Sequence, residues 1–260
     1  MPAPNIALQV YTVRDLMTGP EQIADTLGKV AAAGYGNVEA AGLYGMSATD
    51  FRAACEAAGL TIVASHASWE DLRDRTDEQI QWLGELGATL VATGSPREYQ
   101  SGEGYARFAR ETTEFAAKLA EAGITYMYHN HAHEYARFDG RTGMQIMAEQ
   151  SDPELFKFEL DVHWVSRGGA CPVAWLELLA GRVPVLHCKD TGVTPDSQPL
   201  YEPVGAGNLD WPTIMAMAAE VGVEHYIVEQ DICQLDVFES IAISYANLEQ
   251  WLSGCGGCCG

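Results

Sequence analysis

Short runs of β-branched and apolar residues alternate along this chain with longer stretches whose apolar positions recur at helical spacing. Gly, Pro or an acidic turn marks nearly every junction. The strand-like runs are Ile6 to Tyr11, Gly36 to Ala40, Thr61 to His66, Thr89 to Thr93, Ile124 to His131, Phe156 to Trp164, Val183 to Lys189 and His225 to Gln230. Helical spacing covers Pro20 to Ala33, Ala48 to Ala58, Glu78 to Leu86, Gly104 to Ala122, Gly143 to Gln150, Val173 to Leu179, Trp211 to Val221 and Val237 to Leu252. Eight βα units in about 250 residues predict an α/β protein, a single-domain (β/α)8 TIM barrel over residues 1–252. A doubly wound open sheet would place Gly-x-Gly-x-x-Gly after its first strand, and none follows Tyr11.

In such a barrel, functional side chains come from the C-terminal ends of the strands. Strand side chains alternate, so in Phe156-Lys-Phe-Glu-Leu-Asp-Val-His-Trp164 the residues Lys157, Glu159, Asp161 and His163 share one face. The apolar face belongs to the surrounding helices, which turns the polar face into the barrel. The same parity pairs His187 with Lys189, His129 with His131, and Glu229 with Ile227, while Glu39 and His66 end the second and third strands. Lys157 and Lys189 are the main protein cations for this many acids. A buried carboxylate without a partner is costly, so the cluster predicts a bound divalent cation. Carboxylate oxygens with an imidazole suit manganese, magnesium, cobalt or zinc, which no spacing rule separates, and manganese is the first expectation.

Charge narrows the partners. With 36 acidic residues against 15 basic ones the net charge is −21, which repels nucleic acid and anionic membranes. No run of eighteen apolar residues occurs and MPAPNIALQV lacks the basic and apolar regions of a secretory signal, so the expectation is a soluble, cytoplasmic protein. Only Lys29, Lys118, Lys157 and Lys189 are lysines. An acidic, lysine-poor surface suits concentrated salt, and an Arg- and Ala-rich high-GC genome is the alternative account. Cys55, Cys171, Cys188 and Cys233 are scattered singly and are expected to be reduced. The other three of the seven lie in Gly254-Cys-Gly-Gly-Cys-Cys-Gly260, which reads as part of a disordered tail, 253–260, rather than a metal site.

Seven motifs in order carry a family likeness: Ile6-Ala-Leu-Gln-Val-Tyr-Thr-Val-Arg14, Gly34-Tyr-Gly-Asn-Val-Glu39, Tyr128-His-Asn-His131 with Glu134, Leu160-Asp-Val-His-Trp164, His187-Cys-Lys-Asp190, Gly205-Ala-Gly-Asn-Leu-Asp-Trp211 and Ile227-Val-Glu-Gln-Asp231. Over nearly its whole length the chain resembles the xylose-isomerase-like TIM-barrel superfamily of sugar isomerases and epimerases. The resemblance implies one divalent metal held by a Glu, an Asp, a His and a last Glu, and Asp161, His187 and Glu229 fit three of those places. Where epimerases carry the first Glu, the fifth strand has His129-Asn-His131, with Glu134 three residues on. Glu134 is the implied fourth ligand, with His131 or His129 as the alternative. The His-Asn-His pattern is as similar to inosose dehydratases and keto-sugar lyases as to epimerases. Glu39, His66, His129, Trp164 and Lys189 are the implied substrate-orienting residues, and dimers or tetramers are common among such proteins.

Isomerisation, epimerisation and elimination of water beside a ketone all begin with loss of a proton α to a carbonyl, giving an enediolate. Glu134 and Glu229 are the expected proton-transfer pair, helped by His131 and His66. The segment Thr191 to Asp210, rich in Pro and Gly, is the expected lid; Gly205 and Gly207 are candidates for a phosphate cradle. It contains no Lys or Arg, which favours a non-phosphorylated keto-sugar or polyol. Two other classes share this fold: an apurinic endonuclease, which the charge disfavours, and a non-catalytic sugar-binding barrel, which would hold no metal.

Overall fold

In the computed structural model, which describes residues 5–254, eight parallel strands close into a barrel. They are β1 (Ile6–Gln9), β2 (Asn37–Ala41), β3 (Thr61–His66), β4 (Leu90–Thr93), β5 (Thr125–His129), β6 (Lys157–Asp161), β7 (Val185–Cys188) and β8 (His225–Val228). Each strand pairs with its neighbours in sequence, and β8 closes the barrel on β1 with Tyr226 opposite Ile6. Eight helices follow the strands in turn: α1 (Pro20–Ala32), α2 (Ala48–Ala57), α3 (Thr76–Leu86), α4 (Gly102–Glu121), α5 (Gly143–Gln150), α6 (Pro172–Leu178), α7 (Trp211–Val221) and α8 (Val237–Gly254). The predicted (β/α)8 barrel is the observed fold.

Local chemistry sets most boundaries. Thr142 opens α5 through a capping box with Gln145, and Gly222, with φ of 87°, closes α7 in the left-handed conformation glycine tolerates. The strand expected to run to Trp164 is shorter. Asp161 accepts a hydrogen bond from the Trp164 amide (2.9 Å) and caps a short helix, Val162–Arg167. His163 therefore leaves the barrel face and stacks on Tyr201, with ring centroids 4.8 Å apart. A second short helix, Trp69–Asp74, also lies outside the predicted set.

The barrel interior is built in layers. Small apolar side chains, Ala7, Ala64, Ala92, Met127, Val185 and Ile227, fill its lower part. Outward residues such as Phe158, Leu160 and Leu186 pack in the larger core beneath the helices. β7 adds Val185 to this plug, and the inward residues Glu159 and Asp161 of β6 and His187 of β7 are polar, with Asp161 and His187 towards the end where the βα connections emerge.

The segment expected to form a lid begins as an antiparallel hairpin, Asp190–Val193 with Pro199–Glu202. Asp190 is fully buried and accepts from the backbone amides of Thr191, Gly205, Gly207 and Leu209 and from Trp211 Nε1 (2.7–3.3 Å). A Cβ at Gly207 would collide with this carboxylate. The Gly205 and Gly207 amides are thus engaged by Asp190, and a phosphate cradle there is not what they form. Asp190→Ala is expected to lower the unfolding free energy by about 3 kcal/mol, since several buried donors lose a charged acceptor together. Urea denaturation measures this; a loss below about 1 kcal/mol would mean that water replaces the carboxylate.

Among the described residues no helix is long and apolar enough to cross a membrane. Cys55, Cys171, Cys188 and Cys233 are free thiols. Helix α8 runs through Gly254, so Ser253 and Gly254, the first residues of the expected tail, are helical; 255–260 lie outside the described residues.

Candidate functional site

At the C-terminal end of the barrel, β5 to β8 bring His129, Asp161, His187 and Glu229 together, each with one ligand-type atom within 4.8 Å of the others. Strand register sets their height. His129 lies opposite Glu159 and Asp161 opposite His187, while Glu229 follows the last residue of β8. All four are buried. Of the sequence-derived ligands, Asp161, His187 and Glu229 share this group.

Glu134 does not join them. It is fully buried in the turn after β5, where its carboxylate accepts from Tyr128 Oη (2.6 Å) and from the His131 backbone amide (3.0 Å). Tyr128 points outward by strand alternation, so Glu134 turns back against the barrel wall, grouped with His131 and His133. The place beside Asp161 goes to His129, one of the two alternatives. His131 instead faces the cavity above, with its ring 5.5 Å from that of Trp164.

Asn130, between these histidines, was not legible as a site residue. Its side chain donates to the Asp161 carbonyl (3.2 Å) and accepts from the Asp161 amide (2.9 Å), adding a rung to the β5–β6 ladder beyond the end of β5. The His-Asn-His motif thus places one imidazole at the floor and one in the cavity, and fixes the neighbouring Asp161 backbone between them.

Electrostatics divides the site's acids. Burial and repulsion by Glu159 push the Glu39 carboxyl up to about 7, and burial pushes Asp161 up to about 6. Burial also opposes ionisation of Glu229, but Lys189 and His187 outweigh it and hold this carboxyl well below the usual range. Lys189 is 2% exposed and pairs with Glu229 (2.7 Å), Asp231 (3.2 Å) and Asp161 (3.4 Å). His66 meets burial too, yet Glu39 and Glu159 raise its pKa to about 9. Burial keeps His129 neutral by lowering its pKa well below the imidazole range, the protonation state a metal ligand requires.

Glu39 Oε1, Glu159 Oε1 and Asp161 Oδ2 are buried without a hydrogen-bond partner. Of these only the Asp161 oxygen belongs to the four-residue group, where a bare carboxylate oxygen beside imidazole nitrogens fits a divalent cation, and two nitrogens with two carboxylates are a donor set that manganese, magnesium, cobalt and zinc accept to different degrees. Above this group opens a cavity of about 370 Å³ whose lining includes Gln9, Tyr11, His66, His131, Trp164 and Asp231. Gln9, Tyr11 and Asp231 are wall residues that strand patterning did not single out. Trp164 and Lys189 also border the cavity, Lys189 Nζ lying 5.3 Å from the indole ring. Glu39, expected to orient substrate, is instead fully buried below it, accepting from Gln9 Nε2 (2.7 Å) and paired with His187 Nε2 (2.8 Å).

A family model for xylose isomerase-like TIM barrels matches residues 27–234. No protein of curated function matches the sequence. Among solved structures, a sugar phosphate isomerase/epimerase from Parabacteroides distasonis superposes with a TM-score of 0.81 at 24% identity, covering 96% of this chain and 94% of that one. A xylose isomerase-like TIM-barrel protein from Mycobacterium smegmatis in complex with magnesium gives 0.76 at 15% identity over 97% of both chains. The probable 3-DHS dehydratase of petrobactin synthesis from Bacillus anthracis gives 0.71 at 12% identity, covering 94% of this chain and 98% of that one. At these identities the likeness is one of fold.

Proposed function

The chain belongs to the xylose isomerase-like TIM-barrel family, and on that premise we propose that it is a divalent-cation-dependent isomerase or epimerase of a small, non-phosphorylated keto-sugar or polyol. The observation that carries this reading is the buried His129–Asp161–His187–Glu229 group beneath a polar cavity. These four residues would hold the cation, which supplies Lewis acidity toward a substrate carbonyl oxygen and its neighbouring hydroxyl.

The chain's own groups do the proton work. Glu229 is ionised and partly open to the cavity, 7% exposed, so it takes the proton α to the carbonyl. Lys189, 2.7 Å away, offsets charge as it accumulates at that end of the site. His131 is a cavity-lining imidazole, kept neutral by burial, and it serves the second face in place of Glu134. Trp164 gives an apolar wall to a sugar face.

The placement of Lys189 and Arg14 supports the reading of a non-phosphorylated substrate. Lys189 is already shared among three carboxylates, and Arg14 donates to the Tyr11 and Asp231 carbonyls rather than into the cavity. Loss of water from the same enediolate is the second reading: Glu229, open to the cavity, holds the abstracted proton and can pass it to a departing hydroxyl on its side of the substrate.

Manganese at about a hundred times its Kd is expected to raise the melting temperature of the metal-stripped protein by about 5–10 °C. Incubating the loaded enzyme with ketoses and a keto-inositol in deuterated water then separates the outcomes by mass spectrometry. Deuterium gain without loss of mass marks isomerisation or epimerisation, and loss of water marks dehydration. No thermal shift and no exchange with any substrate would reject the enzyme reading.

A further inference from the structure

Glu159 lies two residues before Asp161 on the same face of β6, one layer deeper and fully buried. Its ion-pair partners among the described residues are all imidazoles. Oε2 is 2.8 Å from His66 Nε2 and 3.0 Å from His129 Nδ1, and Oε1 is 3.2 Å from His187 Nε2. No lysine or arginine neutralises it, and it does not reach the cavity wall.

An ionised carboxylate accepts hydrogen bonds only, so a ring nitrogen that contacts it carries the proton and the other nitrogen of a neutral ring is left bare. In His129 the contacting atom is Nδ1. The remaining Nε2 lies 4.0 Å from Asp161 Oδ2, on the side of Asp161, His187 and Glu229. We propose that Glu159 is a positioning residue that holds His129 as the Nδ1–H tautomer and so presents Nε2 to the cation, an inference that rests on the cation site proposed above. His187 differs, because both of its nitrogens meet carboxylates: Nε2 lies 2.8 Å from Glu39 and Nδ1 3.2 Å from Glu229. Partners of this kind fix ring orientation as well as protonation, which is why a ligand's outer neighbour matters to affinity.

The test uses the full chain stripped of metal and two readouts. Nitrogen-15 spectra of histidine-labelled protein report tautomers directly, with the His129 signals identified by their loss in His129→Gln. Wild type is expected to show His129 protonated at Nδ1; protonation at Nε2 would overturn the proposal with no variant needed. Glu159→Gln is nearly isosteric and is expected to mix the His129 tautomers, to weaken cobalt(II) binding by about 10–100-fold and to alter the cobalt d–d bands, with an unchanged far-ultraviolet circular dichroism spectrum. Cobalt affinity and bands equal to wild type would also overturn it. If Glu159→Gln does not fold, the wild-type tautomer decides. If wild type binds no cobalt, the cation site itself falls, and the tautomer spectra still judge what Glu159 does to His129.

Discussion

Asp161→Asn is expected to lose cation binding and to lower turnover by about 10³-fold, because removing an anionic ligand is worth several kcal/mol of transition-state charge stabilisation. Its fold should not suffer. Asn retains the oxygen that caps Val162–Arg167 through the Trp164 amide. In the metal-free protein the ionised Asp161 is itself a burden. Burial raises its folded-state pKa to about 6, above the value in an unfolded chain. A carboxyl shifted upward costs stability once the pH passes its unfolded value, in full above about pH 6, so at pH 7 the neutral amide is at least as stable. Asp161→Ala also loses the cap and about 1 kcal/mol. Melting curves in EDTA, manganese titration and turnover make the comparison. Stoichiometric manganese retained by Asp161→Asn would show that this carboxylate is not a ligand.

Lys189→Met is the largest stability change expected. The ammonium is 2% exposed among Asp161, Glu229 and Asp231. Burial works against its charge, but Asp161, Glu229 and Asp231 outweigh burial and raise its pKa above the ordinary lysine range. The raised value means that the ammonium stabilises the fold at every pH below its unfolded value of about 10.4. Methionine fills the same space and leaves three carboxylates facing one another. The expected loss is about 3–5 kcal/mol in urea denaturation with EDTA present. Saturating manganese should restore part of it, since a cation held by Asp161 and Glu229 replaces the missing charge. An unchanged midpoint would mean that these acids are protonated or solvated without their lysine.

How much of this site the sequence disclosed depends on whether a feature is periodic or relational. Inward orientation was legible for Asp161, His187 and Glu229, because a strand turns alternate residues to one face whatever it pairs with. The boundaries of α5 and α7 were legible for a similar reason: their caps, Thr142 and Gly222, lie next to the helices they bound. The overrun of β6 came from alternation that continues to Trp164 in sequence, while the backbone turns at the Asp161 cap. Glu134 is a ligand only as the family resemblance implies it. Only the fold of the turn after β5 commits its oxygens to Tyr128 and to the chain itself. Glu39 and Glu159 read as inward acids, but alternation carries no depth, and both belong to the layer below the cavity.

By itself, then, the sequence determined the barrel, the face each strand turns inward and the excess of acids over cations at its mouth, since these follow from periods of two and 3.6 residues and from composition. Tertiary structure alone decided that His129 rather than Glu134 stands beside Asp161, that Asn130 holds the Asp161 backbone, and that two glutamates sit under the histidines. Those facts depend on the stagger between strands as the barrel closes, which pairs residues dozens of positions apart, and no local pattern encodes that pairing.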